Sequence, residues 1–139
     1  MTEHTTKSVE ETQRLAAQFA AQLKGGELIE LVGDLGSGKT TFVRGVAEAL
    51  GTKVRVKSPT FTVMNEYPVD GDKIKRIIHI DFYRFEDPTQ LEALAMGDYQ
   101  DEETVIFIEW PDKFESPAVT ATRTISFEFV DEETRRIKF

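Results

Sequence analysis

Apolar residues along this chain recur with two different periods. Glu27 to Val32 (Glu-Leu-Ile-Glu-Leu-Val) is a short apolar run that predicts a buried strand. From Lys39 to Leu50, Phe42, Val43, Val46, Ala47 and Leu50 fall on one helical face, and Gly51 stops the helix. Upstream, Ser8-Val9-Glu10-Glu11 matches a capping box, and Leu15, Ala16, Phe19, Ala20 and Leu23 continue it as an amphipathic helix that Gly25-Gly26 ends. Lys53 to Lys57 alternates charged and apolar residues, as a half-buried strand does. Val63 to Val69 and Lys73 to Ile80 flank Asp70-Gly71-Asp72, a hairpin signal. Asp87-Pro88 opens a helix through about Met96, closed by Gly97. Thr104 to Glu109 is the most apolar strand and is expected to be central, and Arg123 to Val130 with Thr134 to Phe139 reads as a second hairpin about Asp131-Glu132-Glu133.

Between the first core strand and its helix lies Gly33 to Thr41, Gly-Asp-Leu-Gly-Ser-Gly-Lys-Thr-Thr, with Gly33, Gly38, Lys39 and Thr40 at phosphate-loop spacing. Strand, loop and helix stand in the order that this chemistry needs. Glycines let the backbone approach a ligand closely, so N–H groups of Gly36, Ser37 and Gly38 can point at phosphate oxygens, and the helix adds its positive N-terminal end. Lys39 is expected at the β- and γ-phosphates, Thr40 as a Mg²⁺ ligand and Thr41 on the α-phosphate side. The expected fold is α/β, a P-loop NTPase-like three-layer sandwich with a mixed central sheet and antiparallel hairpins.

Composition narrows the setting. The 139 residues fit one domain, 1–139, with no linker, repeat or low-complexity tract. A net charge of −8, from 17 basic and 25 acidic residues, repels bare nucleic acid, so any link to it is expected through a partner. The cluster Lys73, Lys75 and Arg76 is read as a solvated strand face. The chain has no apolar stretch near the roughly 20 residues of a membrane span, no secretory signal and no cysteine, and a cytoplasmic location is expected.

Phosphate-loop chemistry also needs a carboxylate at the end of a neighbouring strand. Asp81 and Glu109 each close an apolar run. Glu109, on the more central strand, is assigned to the metal, and Asp81 to water positioning or switching. The hydroxyls of Ser58 to Thr62 suit either γ-phosphate sensing or an ordinary turn, the turn being favoured. His79 is read as a packed strand residue rather than a base, and Thr12 by spacing alone as an ordinary first-turn polar residue. The C-terminal hairpin shows no catalytic constellation.

Four motifs in order, Gly33 to Phe42, Ser58-Pro59-Thr60-Phe61-Thr62 with Asn65-Glu66-Tyr67, His79 to Arg84, and Glu109-Trp110-Pro111, resemble the bacterial TsaE (YjeE) family from about Glu11 to Pro111. The resemblance implies a small ATPase needed to make threonylcarbamoyladenosine in tRNAs that read codons starting with A. It implies that the chain binds the TsaB–TsaD pair and touches tRNA only through that complex, ATP hydrolysis resetting the complex between turnovers. No membrane partner is implied. Matching motifs give Lys39, Thr40 and Glu109 the nucleotide and Mg²⁺ roles, with Asp81 functionally important. The resemblance also puts Thr12 near the base and Arg135 or Arg136 over it. It carries most of the preference for ATP over GTP, which agrees with Thr52-Lys53-Val54-Arg55 lacking the Asp of a guanine-reading motif. Only Arg84 directly follows a site strand, so slow hydrolysis by the chain alone and faster hydrolysis with a partner are expected. The alternatives are a small-molecule kinase, against which Pro88 to Asp101 contains no Arg or Lys for a lid, and a nucleotide-dependent binding module.

Overall fold

In a computed structural model of the chain, the structure describes residues 1–56, 64–82, 100–110 and 121–139. Its elements are β1 (Glu3–Thr6), α1 (Val9–Ala20), β2 (Leu28–Val32), α2 (Lys39–Ala49), β3 (Met64–Pro68), β4 (Arg76–Asp81), β5 (Thr104–Glu109), β6 (Arg123–Phe129) and β7 (Arg135–Lys138). The strands form one seven-stranded sheet in the order β1-β7-β6-β2-β5-β4-β3. Its middle, β6, β2, β5 and β4, is parallel, while β3, β7 and β1 are added antiparallel at the two sides.

The apolar runs account for that arrangement. A parallel strand is covered on both faces, so it reads as continuously apolar rather than alternating. All six residues of β5 are buried, and five of six in β4. Successive residues then supply opposite faces. Ile29, Leu31, Ile77, Phe107 and Ile125 meet Phe19, Phe42 and Val46 of α1 and α2. Leu28, Ile78, Ile80, Ile106 and Ile108 form a second cluster with Phe82. Phe19, Phe42, Phe127 and Phe139 meet edge to face beneath the helices, with centroids 5.0–6.1 Å apart. The mixed sheet and its hairpins are therefore as expected, with a helical layer on one face. The helix expected from Asp87 to Met96, the Ser58–Thr62 loop and Arg84 lie outside the described residues.

Ser8 caps α1, its hydroxyl accepting the Glu11 N–H at 3.1 Å. The Glu11 carboxylate takes the Lys7 N–H instead of the Ser8 N–H of a standard capping box. Two expectations fail. Lys53 to Val56 forms no strand despite its alternation: Val56 is buried and Val54 exposed. Here the chain instead docks on the β3–β4 turn, where the Asp70 N–H donates to the Leu50 carbonyl and the Thr52 hydroxyl to the Pro68 carbonyl. The second hairpin strand also begins at Arg76 rather than Lys73. Arg76 itself pairs with Asp101 at 3.0 Å and Glu66 at 3.6 Å, so the basic cluster is locally neutralised there.

The helices touch through Gly45. A Cβ there would stand 2.7 Å from the Ala16 Cβ and 3.0 Å from the Gln13 Cα. Gly45→Val is expected to cost about 1–3 kcal/mol by overpacking, part of it recovered by adding Ala16→Gly, as read by urea unfolding.

Candidate functional site

The site begins where β2 leaves the sheet. A Cβ on Gly33 would lie 2.6 Å from the Phe127 carbonyl oxygen of β6 and 2.7 Å from Ser37 Oγ, so only glycine lets the chain turn off the strand this close to its neighbour. The loop then closes on Gly38, which has φ 106°, a left-handed conformation that a side chain disfavours. Gly38 is also the N-cap of α2, and no side chain caps this end. The first N–H groups of α2 consequently point into open space, with the positive end of the helix behind them.

That space is a cavity of about 510 Å³. Gly36, Gly38, Lys39, Thr40 and Thr41 form one wall, and Asp81, Glu109 and Trp110 at the strand ends form another. Thr12 with Lys7, Ser8 and Val9 closes a third side, and Glu132, Glu133 and Arg135 a fourth. Ser37 does not line the cavity: it is fully buried and its N–H donates to the Asp34 carbonyl at 3.1 Å.

Lys39 is buried, and its ammonium donates to the Gly33 carbonyl and, at 3.4 Å, to that of Asp34. Burial pulls its pKa below the ordinary 10.5, opposed by the negative charges of Glu109, Asp81 and Asp34. The ammonium also lies 4.8 Å from the centre of the Trp110 ring. Trp110 has φ 57°, unusual for so bulky a residue and the one positive φ outside glycine among the described residues. This strained turn directly follows Glu109, and the ring it presents is the one that meets Lys39.

Asp81 and Glu109 are register partners at the ends of adjacent parallel strands, and both are buried. β5 lies directly beside β2, with β4 one strand further out, so Glu109 is on the more central of the two carboxylate-bearing strands, as expected. His79 precedes Asp81 by two residues on the same face, with Nε2 3.1 Å from Glu109 Oε2. Thr12 is buried, its hydroxyl 2.7 Å from that of Thr6 in β1.

Sequence reasoning missed much of the fourth wall. The C-terminal hairpin, read as showing no catalytic constellation and given only Arg135 or Arg136 by the resemblance, contributes Glu132 and Glu133 as well as Arg135. Arg135 donates to the Asp131 and Thr134 carbonyls, and its guanidinium lies 4.5 Å from the Phe129 ring. Arg136, the other candidate from the resemblance, is not on the cavity wall and pairs with Glu128 at 3.0 Å and Glu3 at 3.7 Å. Alternation put these neighbours on opposite faces, but which face meets the cavity depended on where β7 sits in the sheet.

A strand, glycine loop and uncapped helix, set in a mixed α/β sheet with two carboxylates at the neighbouring strand ends, define a P-loop NTPase-like protein. The family model described as threonylcarbamoyl adenosine biosynthesis protein TsaE matches residues 6–137, and the chain belongs to that family. Curated relatives named tRNA threonylcarbamoyladenosine biosynthesis protein TsaE include that of Bacillus subtilis, 37% identical over 134 residues, covering 96% of this chain and 82% of its own. The protein of the same name from Aquifex aeolicus is 38% identical over 134 residues, covering 95% and 90%. The crystal structure of YdiB from Bacillus subtilis superposes with a TM-score of 0.74 at 32% identity, over 98% of this chain and 82% of that one.

The turn that carries the fourth wall has its own anchor. Asp131 accepts the Glu133 N–H at 2.9 Å and the Thr134 N–H at 2.8 Å, and these hydrogen bonds hold its carboxyl below the ordinary 3.8. A depressed carboxylate pKa stabilises the fold above the unfolded value, and that contribution disappears as pH falls through the folded one. The difference in Tm between wild type and Asp131→Ala is therefore expected to stay constant from neutral pH down toward 3.8 and to shrink below it.

Proposed function

We propose that the chain binds ATP with Mg²⁺ in this cavity, hydrolyses it slowly alone and faster with the TsaB–TsaD pair, and so supports threonylcarbamoyladenosine formation in tRNA. The observation that carries the nucleotide reading is the convergence of an uncapped helix start, Lys39 and two buried carboxylates on one cavity. Its volume lies within the usual range for small-molecule sites. Family membership and the names of its relatives support the tRNA-modification setting.

Each residue then has a physical task. N–H groups of Gly36 and of Gly38 to Thr41 cradle the phosphates, and Lys39 exchanges its Gly33 carbonyl contact for the β- and γ-phosphate oxygens. Thr40 and Glu109 would hold Mg²⁺. The wall fits a hard cation because Thr40, Asp81 and Glu109 offer only oxygen donors. When bound, Mg²⁺ supplies neutralisation of phosphate charge and orientation of the phosphate chain. Asp81, at the end of the next strand, orients the attacking water. Thr12 and Arg135, on walls formed by other elements, flank the base.

Slow turnover follows from the same wall. Arg135, the one arginine among the described residues of the wall, is engaged with the Asp131 and Thr134 carbonyls, and phosphate-loop hydrolases without a well-placed arginine lose about 10³–10⁵ in rate. A partner that completes the site would restore part of that. With a net charge of −8 the chain reaches tRNA through such a partner and not by its own surface field. No described helix is long and apolar enough to cross a membrane; cytoplasmic residence completes the proposal.

Phosphate release from ATP, by the chain alone and with TsaB–TsaD, is expected to rise on complex formation. Lys39→Ala is expected to lower kcat/KM about a hundredfold or more. Absence of stimulation would instead indicate a binding module, and Mg²⁺ dependence surviving Glu109→Ala but not Asp81→Ala would reverse the two carboxylate roles. The fluorescence of Trp110, the chain's one tryptophan, is expected to change as ATP–Mg²⁺ draws the Lys39 ammonium from its ring, and to stay constant in Lys39→Met.

A further inference from the structure

Two buried hydroxyls stand behind the Thr12 wall of the cavity. Thr12 Oγ1 and Thr6 Oγ1 are hydrogen-bonded at 2.7 Å, and both residues are buried. Thr12 lines the cavity, whereas Thr6 does not. Thr6 closes β1, the edge strand, and is the register partner of Arg135 in β7, which lines the cavity from another side. One residue therefore has its side chain on one wall and its backbone beside the other. Packing alone does not call for hydroxyls here, since a pair of apolar residues of the same shape would be close to neutral for stability.

What the pair does is choose the rotamer of Thr12. A threonine in a helix divides between two χ1 rotamers, because its hydroxyl can reach back to the carbonyl four residues earlier. For Thr12 that carbonyl belongs to Ser8, which accepts the Thr12 N–H at 3.1 Å and has a second lone pair to offer. In the structure the hydroxyl is held at Thr6 instead. Without Thr6 Oγ1 the buried hydroxyl would have to turn to Ser8 or stay unpaired, and turning moves both its oxygen and its methyl group relative to the cavity.

We propose that Thr6 is a positioning residue for the base side of the site: its hydroxyl holds Thr12 in one rotamer, so the wall that the base meets is set before the nucleotide arrives. The inference rests on the reading of this cavity as an ATP site with Thr12 beside the base. A side chain ordered in advance does not have to be ordered on binding, so the hydrogen bond favours the nucleotide by preorganisation. Its effect is confined to ligands that carry a base, because the phosphates are held by the loop and the start of α2.

The test compares by calorimetry the Kd for ATP–Mg²⁺ with that for inorganic triphosphate–Mg²⁺, which offers phosphates and no base. Thr6→Val is expected to raise the first about 3- to 10-fold, the worth of one hydrogen bond, and to leave the second unchanged. Thr6→Ser, which keeps the hydroxyl, is expected to recover most of the loss. In folded variants, an unchanged ATP Kd in Thr6→Val, equal losses for both ligands, or no recovery in Thr6→Ser would overturn the proposal. Thr12→Val separates the two readings. If it weakens ATP selectively and Thr6→Val does not, only the role of Thr6 falls; if it changes neither ligand, the placement of Thr12 beside the base and this inference fall together. The double variant is expected to lose no more than Thr12→Val alone, because Thr6 acts through Thr12, and losses that add would overturn the proposal. Side-chain three-bond NMR couplings of Thr12 in the unaltered protein report χ1 and need no variant to fold. One rotamer, the same with and without ATP–Mg²⁺, is expected. Averaging between two rotamers in the free protein would overturn the proposal.

Discussion

The close approach of β2 to β6 at Gly33 governs the rest of the molecule. Where a side chain would begin, the Phe127 carbonyl and Ser37 Oγ already fill the space. The chain must therefore leave the strand as bare backbone, and it reaches Gly38 with α2 starting directly above the sheet's end. Because that helix then packs Phe42 and Val46 into the main core, its N-terminus cannot drift from the strand ends. A strand in the middle of a parallel sheet has a neighbour on each side, so the same contact brings both flanks to the loop. β5 delivers Glu109 on one side, and β6 with β7 delivers Arg135 on the other.

Holding an ammonium and two carboxylates in one partly closed space without a ligand is electrostatically demanding, because charges taken from water must be compensated. The structure compensates them by distribution. Lys39 rests on backbone carbonyls and against an indole face, while Glu109 meets an imidazole. The arrangement leaves a positive helix end and a lysine poised for an anion in a chain whose overall charge is negative. Local geometry, rather than net charge, sets what this surface attracts. The unusual backbone of Trp110 belongs to the same design, since a strained turn after β5 is where the ring over Lys39 originates.

Membership of the TsaE family and the match to the YdiB structure place these features in a shared framework. The wall built from Lys7, Ser8, Val9 and the Glu132–Glu133 turn, like the loop and the carboxylates, lies within the residues that the family model matches.

Strand β5 was legible to the residue from its apolar run, as were the start of α2 and the Ser8 cap, since burial and capping leave a local trace in residue type. Local patterns also misled. Lys53 to Val56 alternates like a strand but has no strand partner, whereas Glu3 to Thr6, polar throughout, is a strand because β7 offers it an edge to pair with. The phosphate loop, its elements and the two strand-end carboxylates could be read in one dimension because each depends on neighbours a few residues away. Placing Glu109 beside the loop strand, seating His79 beneath it, and turning Arg135 toward the cavity but Arg136 away required the folded chain. Those relations depend on the order of strands in the sheet, which is settled by packing between segments tens of residues apart and leaves no periodic mark on any one of them.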